Sequence, residues 1–380
     1  MARPTIGIDA RYAFRAQRRG IGEYVYHLLE AYANLAPSLD FVLYLDAEAR
    51  PELVSLPKDQ FWLKQLPVSN PMLFEEWALP RAAMHDQVDL LHLTANYGGT
   101  FSSVPTVHTI HDLIEFVRGD IAPWRQDWRH GVGRWIRKRA LPRAIHRSRA
   151  IICPSHSTQV DVERILRPDF RRLAMIPYGI SGLCPHPDPK RLRQEMRARK
   201  MQVPETYVLV FGALDPRKNS GVVVRTFSKL AVEYPEMQLW VVGVEDLDRY
   251  SVAGSAGSIK VLPFVPRADA LDLLRGATAL VYPSLYEGFG LPVLEAMAAG
   301  VPVLASRATS LPEVVGDAGL LFDPVTGDGL EEGLRLILGS PQVCDELRSK
   351  GLERARGFTW ARAGSAHLEV YQRVLEEIYG

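Results

Sequence analysis

Two glutamates eight positions apart, Glu287 and Glu295, stand in a run suited to binding a charged ligand. The run ALVYPSLYEGFGLPVLEAMAAG (279–300) passes from an apolar strand into a loop holding Gly288 and Gly290, then into a helix that Pro292 starts and Gly300 ends. Eight residues along one helix would turn the second carboxylate about 80° from the first, but Glu287 falls in the loop and Glu295 about one turn inside the helix. The two acids therefore address different parts of a ligand. Between them Phe289, Gly290 and Leu291 offer backbone N–H groups at the positive helix end, which suits a phosphate or diphosphate. Gly288 and Gly290 let the ligand approach the main chain.

A second charged group follows another strand. After YVLVFG (207–212) comes ALDPRKN, which puts Arg217 and Lys218 at the carboxyl end of that strand, where open α/β sheets bind ligands. Two fixed cations there would neutralise charge growing on a departing diphosphate. Gly20-Ile21-Gly22 forms a short glycine turn after the basic stretch 15–19 and before a helix starting near Glu23. In VHTIHDL, His111 and Asp112 lie at the carboxyl end of a further strand. No G-x-S-x-G elbow, zinc motif or Walker loop occurs, so the hydrolase, metalloenzyme and ordinary kinase signatures are missing. Asp246-Leu247-Asp248 spells D-x-D, which can hold a divalent ion, but its loop lies away from the cations in motif order, and it is read as no metal site.

These side chains need two sheets to hold them. Short apolar runs at 5–9, 41–45, 89–93, 106–110, 150–154 and 173–177 alternate with helical stretches, as in a parallel sheet covered on both faces. The pattern restarts at 207–212, 238–243, 259–264, 279–284 and 301–306. At 380 residues the chain is longer than one core usually supports, so two doubly wound units fit better than one oversized sheet. The Pro- and Gly-rich stretch 177–189 has no period and reads as a linker. Residues 1–179 are expected to form one domain and 180–358 the other. The tail 359–380 carries Leu368, Tyr371, Val374, Leu375 and Ile378 at helical spacing and is expected to pack back on the first domain.

A net charge of +1 gives no reason to expect nucleic-acid binding. Charge is concentrated locally: residues 124–149 hold nine basic residues against the single acid Asp127, with Trp124, Trp128 and Trp135 interleaved. Cys153, Cys184 and Cys344 are far apart and fit no metal spacing, as expected in a reducing cytoplasm. No apolar run approaches the ~20 residues of a membrane span.

Glu287–Glu295 (EGFGLPVLE), with LPEVVGDAGLLFDP (311–324) and the G-x-L-x-P-R-K-N form around Arg217 and Lys218, resembles glycosyltransferase family 4, more strongly over 207–323 than in the first half. The resemblance implies a GT-B fold, two Rossmann-like α/β domains facing across a cleft, and transfer that retains the anomeric configuration. It implies that Glu287 meets the sugar hydroxyls of a nucleotide-sugar donor and Glu295 its ribose. Gly20 and Gly22 would lie over the donor phosphates and acceptor, and His111 beside the transferred sugar. Asp112 is read as orienting the acceptor. Many family members carry an arginine where this chain has Ala213, which leaves Arg217 to supply the second charge.

Relatives with this form often use GDP-mannose. The expectation is therefore a mannosyltransferase acting on a saccharide or lipid-linked saccharide in polysaccharide or glycolipid assembly, with no separate cofactor and no essential divalent metal. A UDP-sugar transferase of the same fold, a nucleotide-sugar epimerase and a non-catalytic binding protein are the alternatives. Residues 124–149 fit either a solvated basic helix or peripheral contact with an anionic inner membrane face, where lipid-linked acceptors reside.

Overall fold

The computed structural model divides the chain into two compact units. One runs through Val117 and on to Gly179 and takes back Phe358–Gly380; the other holds Ile180–Gly357. The structure describes residues 3–18, 20–35, 38–117, 128–182, 185–186, 188–198, 201, 203–212, 215–244 and 258–380, with 128–137 and 189 described by backbone alone. Ala213, Cys184, the D-x-D at 246–248 and the first part of the basic segment, 124–127 with the side chains to 137, lie outside the described residues.

The first unit is a seven-stranded parallel sheet of order β3-β2-β1-β4-β5-β6-β7. Its strands are β1 (Thr5–Asp9), β2 (Asp40–Leu45), β3 (Phe61–Gln65), β4 (Leu90–Leu93), β5 (Thr106–Thr109), β6 (Ala150–Cys153) and β7 (Leu173–Met175). β4, β5 and β6 are buried at every position, which is why their sequences run apolar without alternation. β3 is an edge strand with exposed Trp62 and Leu63, and the sequence pattern did not mark it. The order reverses between β1 and β4, the position where doubly wound sheets open a ligand crevice at their carboxyl ends.

The helix Trp360–Tyr379 starts at Thr359, whose hydroxyl accepts from Arg362 N, and packs on the helix Ile21–Leu35. Gly364 lets them approach, since a Cβ there would lie 2.8 Å from Ala31 Cβ. A buried polar chain links them to the sheet. The Tyr32 and Tyr371 hydroxyls meet at 2.8 Å, Tyr371 reaches His92 Nδ1 at 2.5 Å, and His92 Nε2 meets Thr109 Oγ1 at 2.8 Å. Thr109 is 2.9 Å from the Tyr24 hydroxyl, which is 2.8 Å from His367 Nε2. Burial pushes His92 down, and His367 down to about 4, so both are neutral near pH 7.

The second unit is a six-stranded parallel sheet of order β10-β9-β8-β11-β12-β13. Its strands are β8 (Tyr207–Phe211), β9 (Gln238–Val242), β10 (Ile259–Leu262), β11 (Ala279–Tyr282), β12 (Val303–Ser306) and β13 (Leu320–Phe322). The helix Ser220–Leu230 lays Val223, Val224, Phe227 and Leu230 on Val208, Val210, Leu239 and Val241. The order reverses between β8 and β11, paired through Ala279 with Val208 and Leu280 with Leu209, so their carboxyl ends emerge side by side. Cys153 and Cys344 are free thiols; burial pushes Cys153 up to about 12. Among the described residues no helix is long and apolar enough to cross a membrane.

Candidate functional site

In the second unit the two loops leaving β8 and β11 bring Arg217, Lys218 and Glu287 together. Asp215 caps the tight turn Pro216–Lys218 by accepting from Arg217 N at 2.9 Å, and Asn219 leaves it at a φ of 48°. Leu285 N donates to Arg217 O at 2.8 Å and ties the loops to each other. Glu287 N donates to Thr309 Oγ1 at 2.9 Å, and the Ser310 hydroxyl donates to Glu287 O and Phe289 O, both at 2.9 Å.

The Lys218 ammonium donates to Glu287 Oε1 at 2.7 Å and to the Tyr282 hydroxyl at 2.8 Å, while that hydroxyl donates to Glu287 Oε1 at 3.0 Å. Arg217 reaches Glu287 Oε2 at 3.4 Å, Asp215 Oδ2 at 3.1 Å and the Tyr286 carbonyl at 3.0 Å. Burial pushes the Glu287 carboxyl up, but Lys218 and Arg217 outweigh it and hold the group below the ordinary carboxylate range. Burial works against the charge on Lys218 as well, yet Tyr282 and Glu287 raise it overall, so it stays protonated. Two cations thus stand against two carboxylates, Glu287 and Asp215. The arrangement holds two cations in fixed positions beside the carboxyl ends of β8 and β11, a geometry that can receive an anionic group.

Gly290, at a φ of 105°, starts the helix Leu291–Ala298; a Cβ there would lie 2.6 Å from Leu311 Cδ2. The helix puts Pro292 in its first turn, and the amides of Gly290 and Leu291 head it with no hydrogen-bond partner among the described residues. Glu295 lies one turn in, almost fully buried, and accepts from Arg267 at 2.5 Å. Glu287 and Glu295 therefore occupy a loop and a helix, held by different cations.

His111, Asp112, Gly20 and Gly22 belong to the first unit. His111 is buried with both ring nitrogens engaged: Nε2 donates to Thr94 O at 2.7 Å, which leaves Nδ1 to accept from the Tyr178 hydroxyl. Burial pushes it down to about 4, so the ring is neutral near pH 7. Asn96 fixes the turn by accepting from His111 N at 2.7 Å and donating to Asp112 O at 3.1 Å, and Asp112 Oδ1 accepts from Ile114 N at 3.0 Å. Gly20, at a φ of 35°, begins the helix through its carbonyl to Tyr24 N at 3.0 Å. Gly22 has a packing reason to be glycine, because a Cβ would lie 2.7 Å from Tyr12 O.

Tyr282, Arg267, Thr309, Ser310 and Tyr178 escaped the sequence reading. Only the cap Asp215-Pro216 carried a local signal, an acid before a proline; the others are brought in by strand order. Among the described residues no group of three His, Cys, Asp or Glu is arranged to hold a metal ion.

Residues 18–181 match the family model described as Glycosyltransferase Family 4, and residues 193–355 the model described as Glycosyl transferases group 1. The chain is 29% identical over 319 residues to O-antigen chain mannosyltransferase B of Escherichia coli, covering 80% of this chain and 81% of that protein. It is 31% identical over 186 residues to the serotype-specific mannosyltransferase WbdA of Escherichia coli, 47% of this chain but only 23% of that longer protein. Sucrose-phosphate synthase from Thermosynechococcus elongatus shares the fold, with a TM-score of 0.75 at 20% identity over 99% of this chain and 100% of that one. The chain belongs to the family 4 glycosyltransferases, enzymes of the GT-B fold built from two parallel-sheet Rossmann-like domains.

Proposed function

We propose that this glycosyltransferase moves mannose from GDP-mannose to a saccharide or lipid-linked saccharide with retention of anomeric configuration. The mannosyltransferase names of its relatives favour the sugar. The observation that carries the donor site is the Arg217–Lys218–Glu287 cluster at the point where the β8 and β11 loops diverge.

In this reading the diphosphate takes Arg217 and Lys218 from Glu287, and the Gly290 and Leu291 amides, with that of Phe289, complete its cradle. Glu287, released from both cations, turns to the sugar hydroxyls, and Glu295 takes the ribose. As the glycosidic bond breaks, charge grows on the leaving diphosphate, and cations positioned beforehand stabilise it without reorganisation. His111, neutral and with both ring nitrogens engaged by Thr94 and Tyr178, stands beside the sugar as an uncharged ring rather than as a charge. Gly20 and Gly22 cover the phosphates, Asp112 aligns the acceptor, and no divalent ion is required.

A thermal-shift series with GDP, UDP and ADP, each with and without magnesium, tests the reading, because a ligand bound only to the folded state raises its stability. GDP should give the largest shift, independent of magnesium. A response to UDP alone would replace mannose by a UDP-sugar.

A further inference from the structure

The first unit contains a cavity of about 570 Å³, lined among others by Leu73, Trp77, Tyr97, Phe101, Arg139 and Arg143, a size common for small-molecule sites. Two irregular segments build it. The chain widens into a π-helical turn at Phe74–Ala78, and the loop after β4 passes through Gly98 and Gly99 at φ of 112° and 74°. π-turns of this kind recur at functional sites.

The acids on this wall are spent internally. Glu75 is buried against Arg11 at 2.5 Å, and its carbonyl accepts from Gly99 N at 3.2 Å. Glu76 accepts from Thr100 N at 3.0 Å and from the Thr100 hydroxyl at 3.1 Å, which pins the loop. Large apolar side chains stay open instead: Leu73 is 57% exposed, Trp77 56% and Phe101 76%. The Arg81 guanidinium lies 5.0 Å over the Trp77 ring. Arg139 and Arg143 come from the helix Trp128–Arg147, and residues 138–149 carry five Lys and Arg and no acid.

A saccharide would need hydroxyl partners here, and the carboxylates that could supply them are engaged. Hydrocarbon suits Leu73, Trp77 and Phe101, and a phosphate suits the arginines. Asn96, next to the lining residue Tyr97, also holds His111 N and Asp112 O, so one loop joins the cavity to the acceptor-side turn.

We propose that this cavity binds the hydrocarbon and phosphate of a lipid-phosphate-linked acceptor, with hydrocarbon on Leu73, Trp77 and Phe101 and phosphate on Arg139 and Arg143. The proposal rests on the transferase reading and narrows its acceptor to a lipid-linked one. Calorimetry on the full chain with farnesyl phosphate, below its micelle concentration, tests it against farnesol, inorganic phosphate and phosphatidylglycerol vesicles. Farnesyl phosphate should bind at least about tenfold more tightly than farnesol or phosphate alone. Phe101→Ser and Arg143→Gln should each weaken it about tenfold with an unchanged melting temperature; Phe101 is exposed enough for folding to survive its loss. Equal affinity in wild type and both variants, or binding to the vesicles alone, would overturn the proposal. A GDP thermal shift run in parallel separates the two readings: its presence with no farnesyl phosphate binding overturns the cavity assignment only, and its absence overturns the donor site.

Discussion

Replacing Glu287 by Gln removes the carboxylate that holds both cations while keeping its shape. Glu287 lies 2.7 Å from Lys218 and 3.4 Å from Arg217. At an effective dielectric of about 20, gross attractions at those distances are about 6 and 5 kcal/mol, and desolvation offsets most of that. Both cations keep some solvent exposure, Arg217 retains Asp215 and the Tyr286 carbonyl, and Lys218 retains Tyr282. The net loss of stability should then be about 2 kcal/mol, or about 4–8 °C in the melting of a unit this size.

The same change frees the cations for a diphosphate. GDP affinity should rise about tenfold, equivalent to about 1.4 kcal/mol, while turnover falls about 100-fold because the sugar loses its carboxylate contact. Calorimetry with GDP, alongside steady-state GDP release from GDP-mannose, separates the effects. The competition scheme fails if Glu287→Gln weakens GDP binding in proportion to its loss of turnover.

Other consequences are as specific. Since Glu287 is held below the ordinary carboxylate range, its stabilising contribution is full above about pH 5 and is lost as pH falls through the depressed value; urea titrations should show wild type and Glu287→Gln converging towards pH 3. Gly22→Ala drives a Cβ to 2.7 Å from Tyr12 O, and despite alanine's better helix propensity it should cost about 1–3 kcal/mol in denaturant melts. Tyr371→Phe breaks the link between Tyr32 and His92 and should cost about 1–3 kcal/mol, because buried partners lose a hydrogen bond. The same variant should speed amide exchange along Trp360–Tyr379, read by mass spectrometry.

The buried strands were legible because β4, β5, β6 and β11 are covered on both faces and run apolar without interruption. β3 and β13 were not: β3 sits at an edge with exposed Trp62, Leu63 and Gln65, and β13 has only three residues. The split between Glu287 in a loop and Glu295 in a helix followed from Pro292 and Gly300, residues that act locally. What sequence could not convey is which charges neutralise each other. Lys218 and Glu287 are 69 positions apart, and Tyr282 joins them because β11 lies beside β8. Likewise, His111 stood out as a cleft histidine, but its tautomer is set by Thr94 and Tyr178, 17 and 67 residues away.

The role of Lys218 at the diphosphate is tested most directly by comparing GDP with GMP on wild type and Lys218→Met. Each ligand offers the same base and ribose, so their affinity ratio isolates the β-phosphate. The wild type should prefer GDP by at least about tenfold, and Lys218→Met should lose most of that preference while binding GMP as before. An unchanged ratio in a folded Lys218→Met variant would contradict the assignment of this cluster to the donor diphosphate.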